Sequence, residues 1–208
     1  RIERDFKSQS DYKSRSTGFG LRMGYALTEF LSQNLRYRLS YDEIFDVGSG
    51  ASPIIQAQPG HTLTSLIGTD LIYDRRDDRM DPTDGYFIRT SFDFAGVGGD
   101  SRFVRTRVAA GYYIPFWDGW VGAWTGEAGY VRGLSQNVLI QNRFFVGGDN
   151  LRGFSTSGIG PRDAISGNAL GGNRYATSTL EVQFPTPVPP EFGIRGLVFT
   201  DVGWLNTL

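Results

Sequence analysis

From Thr17 the chain alternates between apolar and small or charged residues. Thr17, Phe19, Leu21, Met23, Tyr25 and Leu27 fall on one parity, and Gly18, Gly20, Arg22, Gly24 and Ala26 on the other. The next run repeats the pattern, with Leu35, Tyr37, Leu39 and Tyr41 set against Arg36, Arg38, Ser40 and Asp42. Strict period-2 alternation predicts a strand with two unlike faces, and an amphipathic helix cannot produce it. Tyr86 to Phe94 alternates cleanly around Arg89, Ser91 and Asp93, and Val104 to Ile114 around Arg105, Arg107 and Gly111. Trp120, Trp124, Ala128 and Tyr130 oppose Thr125, Glu127 and Gly129; Leu180, Val182 and Phe184 oppose Thr179, Glu181 and Gln183; Val198, Val202 and Trp204 oppose Asp201. In the run Leu63–Tyr73, Leu66 and Ile72 interrupt the polar parity. With a short strand at Arg1–Lys7, the pattern predicts about nine strands of roughly 10–14 residues.

Strands of a globular sandwich usually run to about five or six residues, whereas about 9–11 tilted residues cross a hydrocarbon layer. The polar parity carries Arg22, Arg36, Arg38, Arg89, Arg105, Arg107, Glu127 and Glu181, too many charges for a dry core. An antiparallel membrane barrel accommodates both faces, with the apolar set toward lipid and the charged set toward a wet lumen. The competing account is a soluble antiparallel sheet with one solvated face.

The connections sort by end. Glu29–Gln33, Arg75–Gly85, Pro115–Gly119 and Pro185–Phe192 fall at one end. Ser8–Ser14, Phe45–His61, Gly98–Ser101 and the segment 133–173 fall at the other. Short periplasmic turns opposite longer extracellular loops are the expected asymmetry of an outer-membrane barrel. Tyr112, Tyr113, Phe116, Trp117 and Trp120 gather at one turn, where amphipathic rings suit the headgroup level.

Composition supports strands and turns, with 28 Gly, 15 Phe, 10 Tyr and 4 Trp against 2 Met. It also excludes several chemistries. Lys and Arg number 21 and Asp and Glu 22, a net charge of −1, so no long-range field attracts nucleic acid. There is no Cys, hence no disulfide and no thiolate site. His61, the single histidine, reads as a loop residue with neither a metal set nor a catalytic triad around it. Gly18, Gly20 and Gly24 lie inside a strand and do not cradle a phosphate. The acidic run Tyr73-Asp74-Arg75-Arg76-Asp77-Asp78, followed by Pro82 and Gly85, reads as a salt-bridged periplasmic turn rather than a cation loop. No residue pair marks a barrel hydrolase.

The stretch Asn142–Pro161, NRFFVGGDNLRGFSTSGIGP, is both glycine-rich and aromatic. It lies within the 133–173 connection, which is far longer than most loops unless it folds onto something. Gly147, Gly148, Gly153, Gly158 and Gly160 permit backbone conformations closed to other residues. Arg152, entering a lumen, would seek a carboxylate, and strand parity points Glu181 and Asp201 inward. The alternative is a solvated arginine worth little.

These residues resemble a known family. Gly147-Gly148, Leu151-Arg152-Gly153-Phe154 and Gly158-Ile159-Gly160-Pro161 are similar to the sixth extracellular loop of BamA-type outer-membrane protein insertases of the bacterial surface antigen superfamily. Tyr73-Asp74-Arg75-Arg76-Asp77 with Pro82 and Gly85, Leu180-Glu181 with Pro185-Thr186-Pro187, and Phe199-Thr200-Asp201-Val202-Gly203 extend the resemblance in the family's order. Leu151 stands where Val or Ile is more usual. The resemblance implies an all-β, antiparallel meander barrel of about sixteen strands, of which residues 1–208 supply a middle and later part. About four strands would precede this part and three follow it, along with upstream periplasmic domains. It implies that the loop folds into the lumen, where Glu181 and Asp201 hold Arg152. It further implies location in a Gram-negative outer membrane and assembly of outer-membrane proteins, without enzymatic turnover, cofactor or metal. The implied partners are unfolded outer-membrane proteins, accessory assembly lipoproteins, periplasmic chaperones and outer-membrane lipids. Related translocators, of the TamA or two-partner secretion type, are the nearest alternatives, with a porin or barrel hydrolase further off.

Overall fold

The structure, a computed structural model, describes residues 2–9, 12–58, 60–188 and 192–207. Among them nine strands form a single antiparallel sheet in sequence order. They are β1 (Ile2–Gln9), β2 (Tyr12–Ala26), β3 (Leu31–Phe45), β4 (Gly60–Asp74), β5 (Gly85–Gly99), β6 (Phe103–Trp117), β7 (Trp120–Gly133), β8 (Arg174–Pro185) and β9 (Arg195–Asn206). Every strand pairs with its chain neighbours, so the topology is a pure meander. Strands β2 to β6 have 15 residues each, long enough to span a hydrocarbon layer even when tilted.

Alternation fixes the two faces. Leu21, Met23, Ile67, Ile88, Phe92, Val108, Tyr112, Trp124, Leu180, Val198 and Val202 remain exposed on the apolar face, which suits lipid rather than water. The register places the polar-face residues in rows. One row runs Arg36, Gly68, Asp93, Arg105 from β3 to β6, and the next runs Asn34, Asp70, Ser91, Arg107. A third joins Thr179 to Asp201 across β8 and β9, with Glu181 and Phe199 paired beside them.

The connections are 27–30, 75–84, 118–119 and 186–194 at one end, and 10–11, 46–59, 100–102 and 134–173 at the other. The two longest lie at the same end, but Gln9 pairs with Tyr12 there and 100–102 is only three residues, so those two loops alone carry the asymmetry. Arg1, residues 10 and 11 of the expected Ser8–Ser14 connection, residue 59, residues 189–191 and Leu208 lie outside the described residues. His61 is a strand residue rather than a loop residue. Its pairing with Glu43 continues the β3–β4 ladder, and its ring stacks on Tyr41 at 5.1 Å.

Loop 134–173 lies against the polar face and buries apolar residues there. Leu66, Ala95, Phe103 and Val131, from four adjacent strands, pack with Val138 and Phe144 of the loop. Val146 and Leu151 of the loop pack with Tyr175 and Leu205 of β8 and β9. Leu66 interrupts the polar alternation because its position lies beneath the loop. The 46–59 connection contains a short helix, α1 (Pro53–Gln56). Its Ile55 and Ala51 form a third cluster with Ile44 and the loop's Ile140. The Ser52 hydroxyl donates to Asp163 at 3.1 Å and the Gln58 side-chain Oε1 accepts from Ile140 N–H at 3.0 Å, so the two long loops are joined to each other.

Candidate functional site

The loop holds its arginine on a tight hairpin. Isolated bridges join Phe144 to Gly172, Val146 to Ile159 and Gly148 to Leu151. Gly147, Gly148 and Gly153 have φ of 126°, 68° and 83°, in the region that favours glycine. The Asn150 side chain accepts from Gly147 N–H at 2.7 Å and donates to Phe145 O at 3.0 Å, an Asx device that stiffens the turn. Leu151 is anchored against β9 at Gly203, where an added Cβ would sit 2.7 Å from Leu151 Cδ2. A side chain at 203 would therefore displace the Leu151 side chain from this contact. Phe154 is half exposed and its ring lies outside the apolar cluster; its carbonyl accepts from Gly148 N–H.

This anchoring delivers Arg152 to the wall. Its Nε and Nη2 donate to the two oxygens of Asp201, each at 2.8 Å. The Arg152 backbone N–H adds a third bond to Asp201 at 3.2 Å, and Nη1 donates to Glu181 at 3.1 Å. The two carboxylates therefore engage one guanidinium, Asp201 through both oxygens and Glu181 through one. A planar guanidinium fork matches that geometry, whereas a lysine could not supply it. The hydrogen bond to Asp201, followed by that to Glu181, raises the Arg152 pKa above its ordinary value. The Asp201 side chain is only 5% exposed, so its charge depends on these donors.

Three further residues complete the clamp. The Phe199 ring lies under the guanidinium, 3.4 Å from Cζ to the ring centroid, a cation–π contact worth about 0.5–1 kcal/mol. Thr179 Oγ1 donates to Asp201 at 2.8 Å, and Gln183 Nε2 to Glu181 at 3.1 Å. The sequence alone assigns none of these a role. Parity was the available signal, since Phe199, Thr179 and Gln183 share a face with Asp201 and Glu181.

A second charge network lies on β3 to β6. Arg36 donates to both Asp70 and Asp93, Arg105 donates to Asp93 at 3.0 Å, and Ser91 donates to Asp70 at 2.5 Å. Arg36 reaches Asp93 across β4 because residue 68 is glycine. An added Cβ there would overlap the Asp93 carboxylate and lie 2.6 Å from Arg36 Nε. Each member is visible in the sequence as an inward residue, but its partner follows only from the register.

The 75–84 turn is a separate unit. Asp74 accepts from Arg76 Nε and Nη2, each at 2.9 Å, and Arg79 approaches it at 3.4 Å. Asp77 accepts from the Thr83 hydroxyl and from the Thr83 and Asp84 N–H groups; these bonds, the hydroxyl's first, hold its carboxyl below the usual carboxylate range. The Arg75 guanidinium stacks on Phe30 at 4.6 Å, and the Tyr73 ring contacts Tyr86 at 5.9 Å on the apolar face. Pro82 sits half-buried between Asp81 and Thr83, and Gly85 closes the turn at φ 100°. Arg195, at the start of β9, pairs with Asp81 at 2.9 Å, tying this turn to the strand that carries Asp201. Asp74, Asp77 and Asp78 are thus occupied by donors of the turn itself, and Asp81 by Arg195.

The profile of the Omp85 superfamily domain matches residues 2–207. An outer membrane protein assembly factor BamA from Neorickettsia risticii is 36% identical over 205 residues, which cover 98% of this chain and 28% of that protein. A SAM50-like protein from Schizosaccharomyces pombe is 28% identical, over 99% of this chain and 44% of that one. The crystal structure of BamA from Haemophilus ducreyi lacking POTRA domains 1–3 superimposes with a TM-score of 0.84 at 21% identity. It covers 99% of this chain and 45% of that chain. The chain therefore spans about a quarter to a half of the length of these relatives. A nine-stranded meander with an apolar outer face and a polar inner one, matched along its length by one domain profile, makes this chain a member of the Omp85 superfamily and part of its transmembrane β-barrel.

Proposed function

We propose that this segment is the braced wall of a barrel that assembles other β-barrel proteins into the outer membrane of a Gram-negative bacterium. Similarity to a BamA along 98% of the chain carries this reading. The clamp gives it a physical basis. Strand templating of the kind seen in β-augmentation needs one sheet edge to open while the rest keeps its shape. Arg152, carried by a hairpin that is anchored through apolar contacts and held by two strands, keeps β8 and β9 in register when another seam is loosened. In this role the residues bind and brace; no bond is made or broken by them. Unfolded outer-membrane proteins are the proposed clients, with periplasmic chaperones delivering them and accessory lipoproteins assisting. Metal and cofactor have no part in the reading.

The test is reconstitution of the full-length protein into vesicles with an unfolded outer-membrane protein as client. Heat-modifiable mobility reports the folded fraction. The reading expects the client to fold faster than in empty vesicles. Absence of acceleration, with export of a soluble passenger instead, would point to a translocator. Ion conductance without either would point to a porin, and turnover of a lipid or peptide to a hydrolase.

A further inference from the structure

The outward face of the sheet has an uneven charge distribution. From β4 to β9 its strand positions carry no Asp and no Glu. The cations on this part of the face cluster at the extracellular end. Arg132 ends β7, Arg174 begins β8, and Arg102 immediately precedes β6. All three are exposed. Val104 pairs with Arg132, and Tyr130 with Arg174, so successive arginines are diagonal cross-strand neighbours, about 7–8 Å apart at their bases. The Arg174 guanidinium lies over the Tyr130 ring at 5.3 Å. Among the described residues none of the three has an ion-pair partner.

The same rim on β2 to β4 is arranged differently. There Lys13 pairs with Asp46, Arg15 with Glu43, and His61 lies 4.0 Å from Glu43. One stretch of the rim neutralises its own cations, while the other leaves three side by side at the top of the lipid-facing band. Adjacent like charges are unfavourable unless an anion is supplied.

We infer that Arg102, Arg132 and Arg174 form a binding site for a phosphomonoester lipid headgroup in the extracellular leaflet. The site faces lipid, so its ligand arrives in the membrane plane. Guanidinium forks bind phosphate oxygens in bidentate fashion. Three uncompensated cations favour a phosphomonoester, which carries about 1.5–2 negative charges at neutral pH, over a singly charged phosphodiester. Apolar Val104 and Ala176 and the Tyr130 ring, directly beneath, would meet the top of the acyl chains. Such a lipid would fasten the outer surface of β6 to β8 opposite the hairpin that fastens the inner one.

This inference rests on the reading of the chain as an outer-membrane barrel, and the test separates the two. The full-length protein is reconstituted in phosphatidylcholine vesicles containing phosphatidic acid, or phosphatidylglycerol as the diester control. Lipid retained through purification is counted by native mass spectrometry. A surface arginine contributes about fivefold to binding anionic lipid. The Arg102→Gln/Arg132→Gln/Arg174→Gln variant is therefore expected to retain phosphatidic acid roughly a hundredfold less well, and Arg132→Gln alone about fivefold less. Lys13→Gln/Arg15→Gln, on the paired part of the rim, should leave retention unchanged. Equal retention by the triple variant, or equal retention of phosphatidylglycerol by the wild type, overturns the site. If the triple variant does not fold, the single Arg132→Gln variant decides. Client folding in pure phosphatidylcholine reports on the insertase reading by itself, since no anionic lipid is present.

Discussion

The inner wall carries two arginine–carboxylate systems, and they are built on opposite principles. In the β3–β6 network every member sits on a strand, and the ladder that aligns Arg36, Gly68, Asp93 and Arg105 also aligns the charges. In the clamp, Arg152 comes from a loop far along the chain and meets Asp201 and Glu181 on β8 and β9. The first system needs no ordering beyond the sheet itself. The second must offset the conformational entropy of a long loop. It does so by concentrating four hydrogen bonds and a ring contact on one residue, beside the apolar cluster around Leu151. One network therefore belongs to the wall, and the other holds a separate body against it.

This contrast can be broken from either side. The largest effect is expected at Asp93, whose side chain is 2% exposed and faces Arg36 and Arg105. Asp93→Asn leaves Arg105 without its carboxylate and Arg36 with Asp70 alone, and should cost about 3–5 kcal/mol. It would lower the unfolding midpoint of the whole barrel while leaving the protease resistance of loop 134–173 unchanged below that midpoint. Asp201→Asn should do the reverse. It should cost about 2–3 kcal/mol, read mainly as faster cleavage within the loop, with the barrel still folded by heat-modifiable mobility. Glu181→Gln removes one charged acceptor from an arginine that is 36% exposed, so about 1 kcal/mol is expected in the same assay. Phe199→Leu keeps the apolar surface and removes the ring, for about 0.5–1 kcal/mol.

The smallest effect concerns the 75–84 turn. Its hydrogen bonds hold the Asp77 carboxyl below the usual range, so this contribution is fully present above about pH 4. It is lost as pH falls through the lowered value. Local exchange of the Thr83 and Asp84 amides should be insensitive to pH-linked loosening between neutral pH and that point, and rise below it.

Much of this architecture was legible in the sequence, because a strand's two-residue period sorts side chains onto faces without any knowledge of the partners. Parity alone placed Glu181 and Asp201 on one face, and connection length singled out Arg152. Parity says nothing about height along the barrel, and height depends on register. The pairing of Arg36 with Asp93 across Gly68 and the Phe199 ring beneath Arg152 are therefore structural findings. Leu66 looked like an irregularity because its reason, the hydrophobic underside of the hairpin, lies about seventy residues away in the chain. The joining of loops 46–59 and 134–173 through Ser52 and Asp163 had no sequence signal, since neither residue belongs to a periodic run.

A double-mutant cycle of Arg152→Ala and Asp201→Asn in the full-length protein, read as the rate of proteolysis within loop 134–173, tests the brace directly. If the pair fastens the hairpin to β9, each single variant speeds cleavage and the double variant is no faster than the quicker of the two. Rates that multiply independently, or that match the wild type in all three variants, would contradict it.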